Sequence, residues 1–348
     1  MEHIFETLVA RYRAGEWTAE HNALQGTVEP PRPEDIARLP GRGTPDYRAL
    51  EAIGKQAVDA GEVGALILSG GMATRFNYDH PKGLYPILDG QSFLELKIRW
   101  IREVSATMPI FIMTSFHTDA EVRAHLEANA YFGSDPSRIV LFQQYQFPRL
   151  SPDGQRFHSS DGSEDFAAPG HGDFVQALSE SGALPQFLAE GGKYLLFSNV
   201  DNLGATVDLA IVGWHIQQGL EMTVEVAAKA PGDKGGAPAR VDGRMQLVEG
   251  FAFPAGFDQD QVRVFNTATY VFTAAALDRA IELPWYVVEK KVDGQSVIQF
   301  EHLAGDLSVV LPTGFLEVDR DERFIPVKSQ GDVPAAQELI RRMRAVLA

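Results

Sequence analysis

The stretch Ala65-Leu66-Ile67-Leu68-Ser69-Gly70-Gly71-Met72-Ala73-Thr74-Arg75, followed by His80-Pro81-Lys82-Gly83, contains the strand and turn on which the fold prediction depends. The apolar run predicts a buried strand, and the paired glycines let the backbone approach a ligand and point N–H groups at phosphate oxygens. Arg75 and Lys82 add cationic groups that a fold alone does not require. A tight turn with two solvated basic residues is the alternative, and a Gly-Gly pair by itself favours it. The segment is neither a P-loop nor a Gly-x-Gly-x-x-Gly motif.

Strand and helix patterns alternate along the rest of the chain. Besides Ala65–Leu68, apolar runs predict strands at Ile110–Thr114, Ile139–Phe142, Tyr194–Ser198 and Thr223–Ala227. Helical spacing is found from Ile4 to Tyr12, from Phe93 to Val104 and from Leu339 to Leu347, and a capping-box spacing at 118–121 predicts one more helix start. This alternation predicts an α/β, Rossmann-like fold with a mostly parallel mixed central sheet covered by helices on both faces. Ligands of such sheets bind at the carboxyl ends of the strands.

Proline-rich and glycine-rich segments between residues 30 and 43 predict a loop region near the start of the chain. We therefore expect a helical N-terminal arm over residues 1–60 and a catalytic domain over 61–315. A C-terminal segment over 316–348 is expected to contain Lys328 and a closing helix.

The net charge excludes some partners. A formal charge of −16 at pH 7 leaves no basic surplus to displace phosphate counterions, so nucleic acid is not expected. A few focused basic residues and a divalent cation can still hold a triphosphate. The apolar runs are too short to span a bilayer, and the first residues do not have a signal-peptide pattern. The chain contains no cysteine, which fits a reducing compartment, so a cytoplasmic protein without membrane contact is predicted.

Gly-Gly-x-x-Thr-Arg followed by Pro-Lys resembles the signature of sugar-nucleotide pyrophosphorylases. From about Leu66 to Lys328, the chain resembles the eukaryotic type of UTP–glucose-1-phosphate uridylyltransferases, also called UDP-glucose pyrophosphorylases, and this implies a GT-A-like nucleotidyltransferase fold. The ordered segments that carry the resemblance are Met113–Asp119, Pro169–Asp173, Ser198–Asp208, Lys234–Gly236, Phe265–Thr267, Val297–Glu301 and Arg323–Lys328. Two departures are Ala73, where many members have glycine, and the absence of a C-terminal β-helical repeat pattern. The oligomeric state is therefore not implied.

The resemblance assigns a nucleotide side to the site. It implies catalytic contacts to the triphosphate and leaving group from Arg75, Lys82 and Lys328. It also implies nucleotide contacts from Leu68, Ser69, Gly70, Gly71, Gln144 and Gly170. An amide such as that of Gln144 can pair with the imide edge of uracil as donor and acceptor, although an exposed glutamine is the alternative.

The resemblance likewise assigns a metal position and a sugar-phosphate side. Asp201 follows an apolar strand, and a carboxylate there can hold Mg²⁺, the predicted cofactor. Asp208 is left open between a metal role and a capping role. The residues implied to contact the sugar phosphate are His171, Asn199, Lys234, Gly235, Glu249 and Asn266.

The predicted function is the transfer of a uridylyl group from UTP to glucose 1-phosphate, which yields UDP-glucose and pyrophosphate. Galactose 1-phosphate or N-acetylglucosamine 1-phosphate as the sugar substrate is one alternative. A non-catalytic regulatory protein that binds a nucleotide sugar is another.

Overall fold

The computed structural model describes residues 1–230, 233 and 235–347 of the chain. Within these residues an eight-stranded sheet forms the centre of the molecule. Its strands are β1 (Ile36–Arg38), β2 (Val63–Leu68), β3 (Ile110–Thr114), β4 (Ile139–Gln143), β5 (Tyr194–Asn199), β6 (Met222–Ala228), β7 (Val264–Thr273) and β8 (Thr313–Val318). The five predicted strands correspond to β2 through β6.

The strand order is β1-β8-β6-β7-β5-β2-β3-β4. β7 runs antiparallel to both of its neighbours, β5 and β6. The other pairs, β1 with β8, β8 with β6, β5 with β2, β2 with β3 and β3 with β4, are parallel. The prediction of a mostly parallel mixed sheet is therefore confirmed.

Helices cover both faces of this sheet. They are α1 (Glu2–Arg13), α2 (Pro45–Asp59), α3 (Phe93–Val104), α4 (Asp119–Ala128), α5 (Phe174–Glu180), α6 (Ala183–Ala189), α7 (Leu209–Gln218), α8 (Ala274–Leu277), α9 (Leu307–Val310), α10 (Arg320–Arg323) and α11 (Val333–Leu347). Alternate residues of β2 point to opposite faces: Leu66 packs in one core with α5 and α6, and Ile67 packs in another with α3, α4 and α11. Among the described residues, no helix is long and apolar enough to cross a membrane.

Smaller strands and short 3₁₀ segments surround the sheet. A three-stranded sheet contains Val28–Glu29, Ala237–Val241 and Arg244–Val248, and two-stranded pairs join Tyr286–Val292 with Gln295–Glu301, Pro86–Leu88 with Gln91–Ser92 and Phe147–Pro148 with Phe166–Ala167. The 3₁₀ segments nearest the site are Thr74–Phe76, Lys82–Leu84, His171–Asp173 and Ala304–Asp306. Others are Ala19–Asn22, Pro33–Asp35, Pro136–Arg138, Gln259–Gln261 and Gln330–Asp332.

Two local predictions change in the structure. α4 begins where the capping-box spacing predicts it, but the Thr118 side chain does not cap it. Its hydroxyl instead accepts from the Ser115 N–H and donates to the Ser69 carbonyl, because the helix start packs against the loop after β2. Asp208, left open between a metal role and a capping role, caps the start of α7. Its carboxylate accepts from the backbone N–H groups of residues 210 and 211 and forms an ion pair with Arg42 at 2.9 Å.

The segment predicted as an N-terminal arm has two kinds of contact. α1 packs on the hairpin of Tyr286–Val292 and Gln295–Glu301, where Trp17 stacks on Phe300 with 5.4 Å between ring centroids. Further along, β1 forms the edge of the central sheet. The division of the chain into three domains stays a prediction.

Candidate active site

The Gly70-Gly71 turn lies at the carboxyl end of β2, beside the ends of β3 and β4. The Ser115 hydroxyl donates to the Gly70 carbonyl at 2.8 Å. A methyl group on Gly70 would lie 2.7 Å from Gln144 Nε2, so the turn and the glutamine are in direct contact. The structure therefore brings together two of the residues predicted for the nucleotide side, and a side chain at position 70 would displace the Gln144 amide.

The segment after the glycine turn folds back over it. The Lys82 N–H donates to the Gly71 carbonyl at 2.9 Å, and the Ala73 N–H donates to the His80 carbonyl at 3.1 Å. Ala73, the position that departs from many family members, has its methyl group buried in the core and a backbone conformation that any residue adopts. The return of the chain places Lys82 next to the turn, where its ammonium group forms an ion pair with the Asp201 carboxylate.

Asp201 lies in the loop after β5, which is tied to the chain just before Lys328. The Val327 N–H donates to the Asp201 carbonyl at 3.3 Å. The Asn202 side-chain oxygen accepts from the Ile325 N–H at 2.9 Å. These bonds hold Asp201 and Lys328 at the same end of the sheet, although the two residues are 127 positions apart in the chain.

A buried charged network lies behind this loop. Arg323 and Glu225 are almost fully buried and share two bonds, at 2.8 and 2.7 Å. Lys97 on α3 is also buried and donates to the Ser198 hydroxyl at 2.8 Å and to the Ala205 carbonyl at 3.0 Å. Burial and the Arg323 charge lower the pKa of Lys97 to about 7, against the opposite effect of Asp201 and Glu225.

The sequence interpretation assigned no role to this network. Its signals were a lysine on the apolar face of a predicted helix and a glutamate inside a predicted buried strand. Charged residues are rarely buried unless they are paired, so both positions should have predicted a partner.

The Gly170-His171 segment packs against residues 302–304. Gly170 has φ +89°, and a methyl group on it would lie 2.4 Å from the His302 carbonyl oxygen, so only glycine fits. His171 Nδ1 accepts from the Ala304 N–H at 3.0 Å. Burial, and then the charge of His302, lower the pKa of His171 to about 4, so the ring is neutral and its Nε2 carries the proton.

This segment also contacts the loop that contains Gln144. The Asp173 carboxylate accepts from the Tyr145 N–H at 2.6 Å. Burial raises the pKa of Asp173. The predicted uracil contacts Gly170 and Gln144 therefore belong to two chain segments that are joined directly by a hydrogen bond.

Three of the residues predicted for the sugar, Gly235, Glu249 and Asn266, lie close together. The Asn266 N–H donates to the Gly236 carbonyl at 2.8 Å, and a methyl group on Gly236 would lie 3.2 Å from Glu249 Oε2. Gly235 and Glu249 both line a cavity of about 480 Å³, together with Lys229, Asp233, Ala237, Gly250, Phe251, Gln259 and Phe265. Lys234, predicted to anchor the sugar phosphate, lies outside the described residues.

The remaining predicted residues have less defined surroundings. Leu68 and Ser69 end β2 and are buried, and Asn199 pairs with Leu68 across β5 and β2. Arg75 is exposed on the 3₁₀ segment Thr74–Phe76, with no hydrogen bond or ion pair to the part of the chain that the structure describes. Lys328 is exposed, and its backbone N–H donates to Asp332 at 2.9 Å.

The acidic side chains that could hold a metal are few. In the described part of the chain, no group of three or more His, Asp or Glu side chains is arranged to bind a metal ion. Asp201 is a single partly exposed carboxylate, with 23% of its side chain accessible, beside the glycine turn. Mg²⁺ is usually bound through one or two carboxylates together with substrate phosphates, so this donor fits that mode.

The chain is similar to known proteins over most of its length. A family model described as UTP--glucose-1-phosphate uridylyltransferase matches residues 4–343. UTP--glucose-1-phosphate uridylyltransferase 2 of Dictyostelium discoideum is 31% identical over 312 residues and covers 83% of this chain. The chain spans 61% of that protein's length.

Two further relatives extend the match. The uridylyltransferase of Musa acuminata is 30% identical over 364 residues, which cover 96% of this chain and 73% of the relative. Among solved structures, a UDP-glucose phosphorylase from Trypanosoma brucei superposes with a TM-score of 0.76 at 26% identity, over 96% of this chain and 74% of the other.

Proposed function

The chain belongs to the UTP–glucose-1-phosphate uridylyltransferase family, and on this basis we propose that it makes UDP-glucose and pyrophosphate from UTP and glucose 1-phosphate. An oxygen of the sugar phosphate attacks the α-phosphorus of UTP in line. A new P–O bond forms there while the bond from the α-phosphorus to the bridging oxygen breaks and pyrophosphate leaves. The reaction needs no protein nucleophile, so the protein contributes positioning and charge stabilisation.

The observation that carries this proposal is the Lys82–Asp201 ion pair beside the Gly70-Gly71 turn. A lysine and a carboxylate that neutralise each other at a phosphate-binding turn are suited to a ligand that brings both negative phosphates and a cation. On binding, Lys82 moves from Asp201 to the triphosphate oxygens. Lys328, held beside Asp201 through the Val327 N–H, stabilises the leaving group, and exposed Arg75 contacts the outer phosphates.

Asp201 is the residue that we propose to hold Mg²⁺. When bound, the ion would neutralise phosphate charge and orient the α-phosphate for attack. Lys97 supports this position from behind, because its bond to Ser198 fixes the end of β5 just before the loop of Asp201. A location in the cytoplasm is proposed as well, since a chain without cysteine fits a reducing compartment.

The proposed uracil contacts are Gln144, Gly170 and the backbone of Gly70 and Gly71. Leu68 and Ser69, which precede these glycines, complete the proposed nucleotide side. Contact between Gly70 and Gln144, and the bond that joins the Gln144 loop to the Gly170 segment, support this assignment. Neutral His171 offers its Nε2–H to a phosphate or sugar oxygen.

The sugar phosphate is proposed to lie in the cavity that Gly235 and Glu249 line. Asn266, whose N–H donates to the Gly236 carbonyl beside this cavity, and Asn199 are further contacts proposed from the family resemblance. Carboxylate and amide groups suit sugar hydroxyls because each forms paired hydrogen bonds. Lys234 is proposed to anchor the phosphate from the family resemblance alone.

A pyrophosphate-release assay with UTP, Mg²⁺ and a panel of sugar 1-phosphates tests the function. We expect the highest kcat/KM with glucose 1-phosphate. A higher kcat/KM with galactose 1-phosphate or N-acetylglucosamine 1-phosphate would revise the proposed sugar substrate and leave the proposed uridylyl transfer unchanged. Binding of UDP-glucose without pyrophosphate release from any sugar phosphate would instead identify a non-catalytic binding protein.

A further inference from the structure

Two carboxyl groups on the proposed sugar side of the site, those of Glu249 and Asp306, have no cationic partner among the described residues. Asp306 is 3% exposed, and its Oδ1 accepts from the Tyr286 hydroxyl at 3.0 Å. Its Oδ2 is buried and has no hydrogen-bond partner among the described residues. No ion pair or hydrogen bond to the Glu249 carboxylate comes from the described chain either. A buried polar atom without a partner is costly, so this arrangement calls for an explanation.

Glu249 and Asp306 meet through Gly305. A methyl group on Gly305 would lie 3.4 Å from Glu249 Oε1 and 3.6 Å from the Tyr270 hydroxyl, so the glutamate lies over the backbone next to Asp306. Tyr270 itself accepts from the Asn266 amide at 2.8 Å. Glu249 therefore lies between the cavity on one side and Asp306 with its tyrosine on the other.

The other charged groups around this pair do not neutralise it. Glu301 is the further carboxylate whose charge acts on Glu249. Its own Oε1 lies 3.9 Å from Lys290 Nζ on the hairpin. His171 faces the same turn through the Ala304 N–H but is neutral, as its lowered pKa indicates. Within the described residues, these carboxyl groups are therefore balanced only by how far each of them ionises.

Burial, reinforced by the charge of Glu249, raises the pKa of Asp306 to about 8. Burial, reinforced by Glu301, raises the pKa of Glu249 to about 7. Two adjacent buried carboxyls without a cation ionise one after the other, and the group held more deeply keeps the proton longer. Asp306 is the deeper of the two.

We propose that Asp306 is a positioning residue for sugar recognition, which keeps the proton so that Glu249 alone is ionised and accepts hydrogen bonds from the sugar hydroxyls. The proposal rests on the proposed function, because it places the sugar beside Glu249. Asp306 lies outside the segments that carry the family resemblance. Ionisation of Asp306 would add a second negative charge near Glu249, and the repulsion would disfavour the ionised Glu249 that accepts from the sugar.

Steady-state kinetics from pH 7 to pH 9 with Mg²⁺, UTP and glucose 1-phosphate test this role. If only the singly ionised pair binds sugar, the KM for glucose 1-phosphate of the unmodified protein rises about fivefold between these pH values, because that form falls from about half to about a tenth of the protein. In Asp306→Asn, which cannot ionise, this rise should disappear while the KM at pH 7 and the KM for UTP stay close to the original values. Glu249→Gln should raise the KM for glucose 1-phosphate at every pH.

An unchanged alkaline rise of KM in Asp306→Asn would overturn the proposal. A KM at pH 7 as high as that of Glu249→Gln would also overturn it, since Asp306 would then be an ionised contact of its own.

A second measurement does not depend on activity, so it separates failure of this proposal from failure of the proposed function. Thermal unfolding should show that the unmodified protein loses stability relative to Asp306→Asn as the pH rises from 6 towards 8, because a raised folded-state pKa favours the protonated form. Asp293→Asn, an exposed substitution in the hairpin turn, serves as the matched control and should follow the unmodified protein. Equal pH profiles for Asp306→Asn and Asp293→Asn would refute the protonated state.

Discussion

Replacement of Arg323 by methionine should destabilise the protein and impair the site through one buried interaction. Arg323 Nε and Nη2 bind the Glu225 carboxylate at 2.8 and 2.7 Å, and Nη1 binds the Thr206 carbonyl and hydroxyl at 3.0 Å each. Side-chain exposure is 3% for the arginine and 0% for the glutamate. Breaking a buried pair of this kind leaves an uncompensated charge and costs about 3–5 kcal/mol. Lys97 is close enough to offset part of this cost, which favours the lower end.

Denaturant-induced unfolding measures this effect. Arg323→Met is compared with Glu225→Met, with the double variant, and with Arg342→Met as control. Arg342 pairs with Glu338 on the solvent-facing side of α11, where the two side chains are 70% and 58% accessible. Loss of this exposed pair should hardly change the unfolding midpoint. The double variant should recover much of the stability that each single variant loses, because it leaves no isolated buried charge.

The same substitution should lower turnover, because the backbone of Arg323 belongs to the site. The Asn202 amide donates to the Arg323 carbonyl at 3.2 Å, and Asn202 follows the proposed metal ligand directly. A loss of less than about 1 kcal/mol in Arg323→Met, or a double variant whose loss equals the sum of the single losses, would refute the reasoning.

Four further substitutions test separate parts of the site. Lys82→Ala and Lys328→Ala should each lower kcat at least about a hundredfold, whereas Lys291→Ala should leave it unchanged; near-normal turnover in the first two would remove their assignment. Gly170→Ala should lower the unfolding midpoint and raise the KM for UTP, because its methyl group would lie 2.4 Å from a backbone oxygen at φ +89°; an unchanged KM contradicts this. For Lys97→Met, the pKa lowered to about 7 means that the unfolded chain binds more protons above pH 7, so the unmodified protein should gain stability relative to the variant from pH 7 to pH 10. Parallel pH profiles of the two would contradict a buried, neutral lysine.

Two of the predicted strands, β2 and β3, have a property that the missed strands lack. β2 and β3 are fully buried apolar runs, so hydrophobicity alone identifies them. β1 is a short edge strand, and β8 contains Gly314 and Glu317, so neither forms an apolar run. β7 is long, but its pattern is interrupted where Ala268 adopts φ +54° opposite an irregularity in β6. A bulge of this kind disrupts the alternation from which strands are predicted.

The site residues could be predicted from sequence only where they approach a ligand through a recognisable local string. Gly70, Gln144 and Gly170 lie in such strings, and the structure brings them into one region. Arg323 and Glu225 lie behind the loop of Asp201, and their ion pair joins two segments that are 98 positions apart in the chain. Local patterns do not encode such pairs. What the sequence does contain is the anomaly of a charge in an apolar setting, which predicts that a partner exists but not which residue it is.

The segment from His302 to Asp306 connects the two ends of the cleft. Its first residue packs against Gly170 and Gly172, and the Ala304 N–H fixes the tautomer of His171. The next residue, Gly305, lies beside the Glu249 carboxylate. A methyl group on Gly170 or Gly172 would have to displace the backbone of His302. The packing between these segments therefore allows little independent movement. The proposed base and sugar contacts are therefore joined by a short stretch of main chain. An in-line displacement requires such a relation, because the attacking oxygen and the α-phosphorus must be aligned before any bond changes.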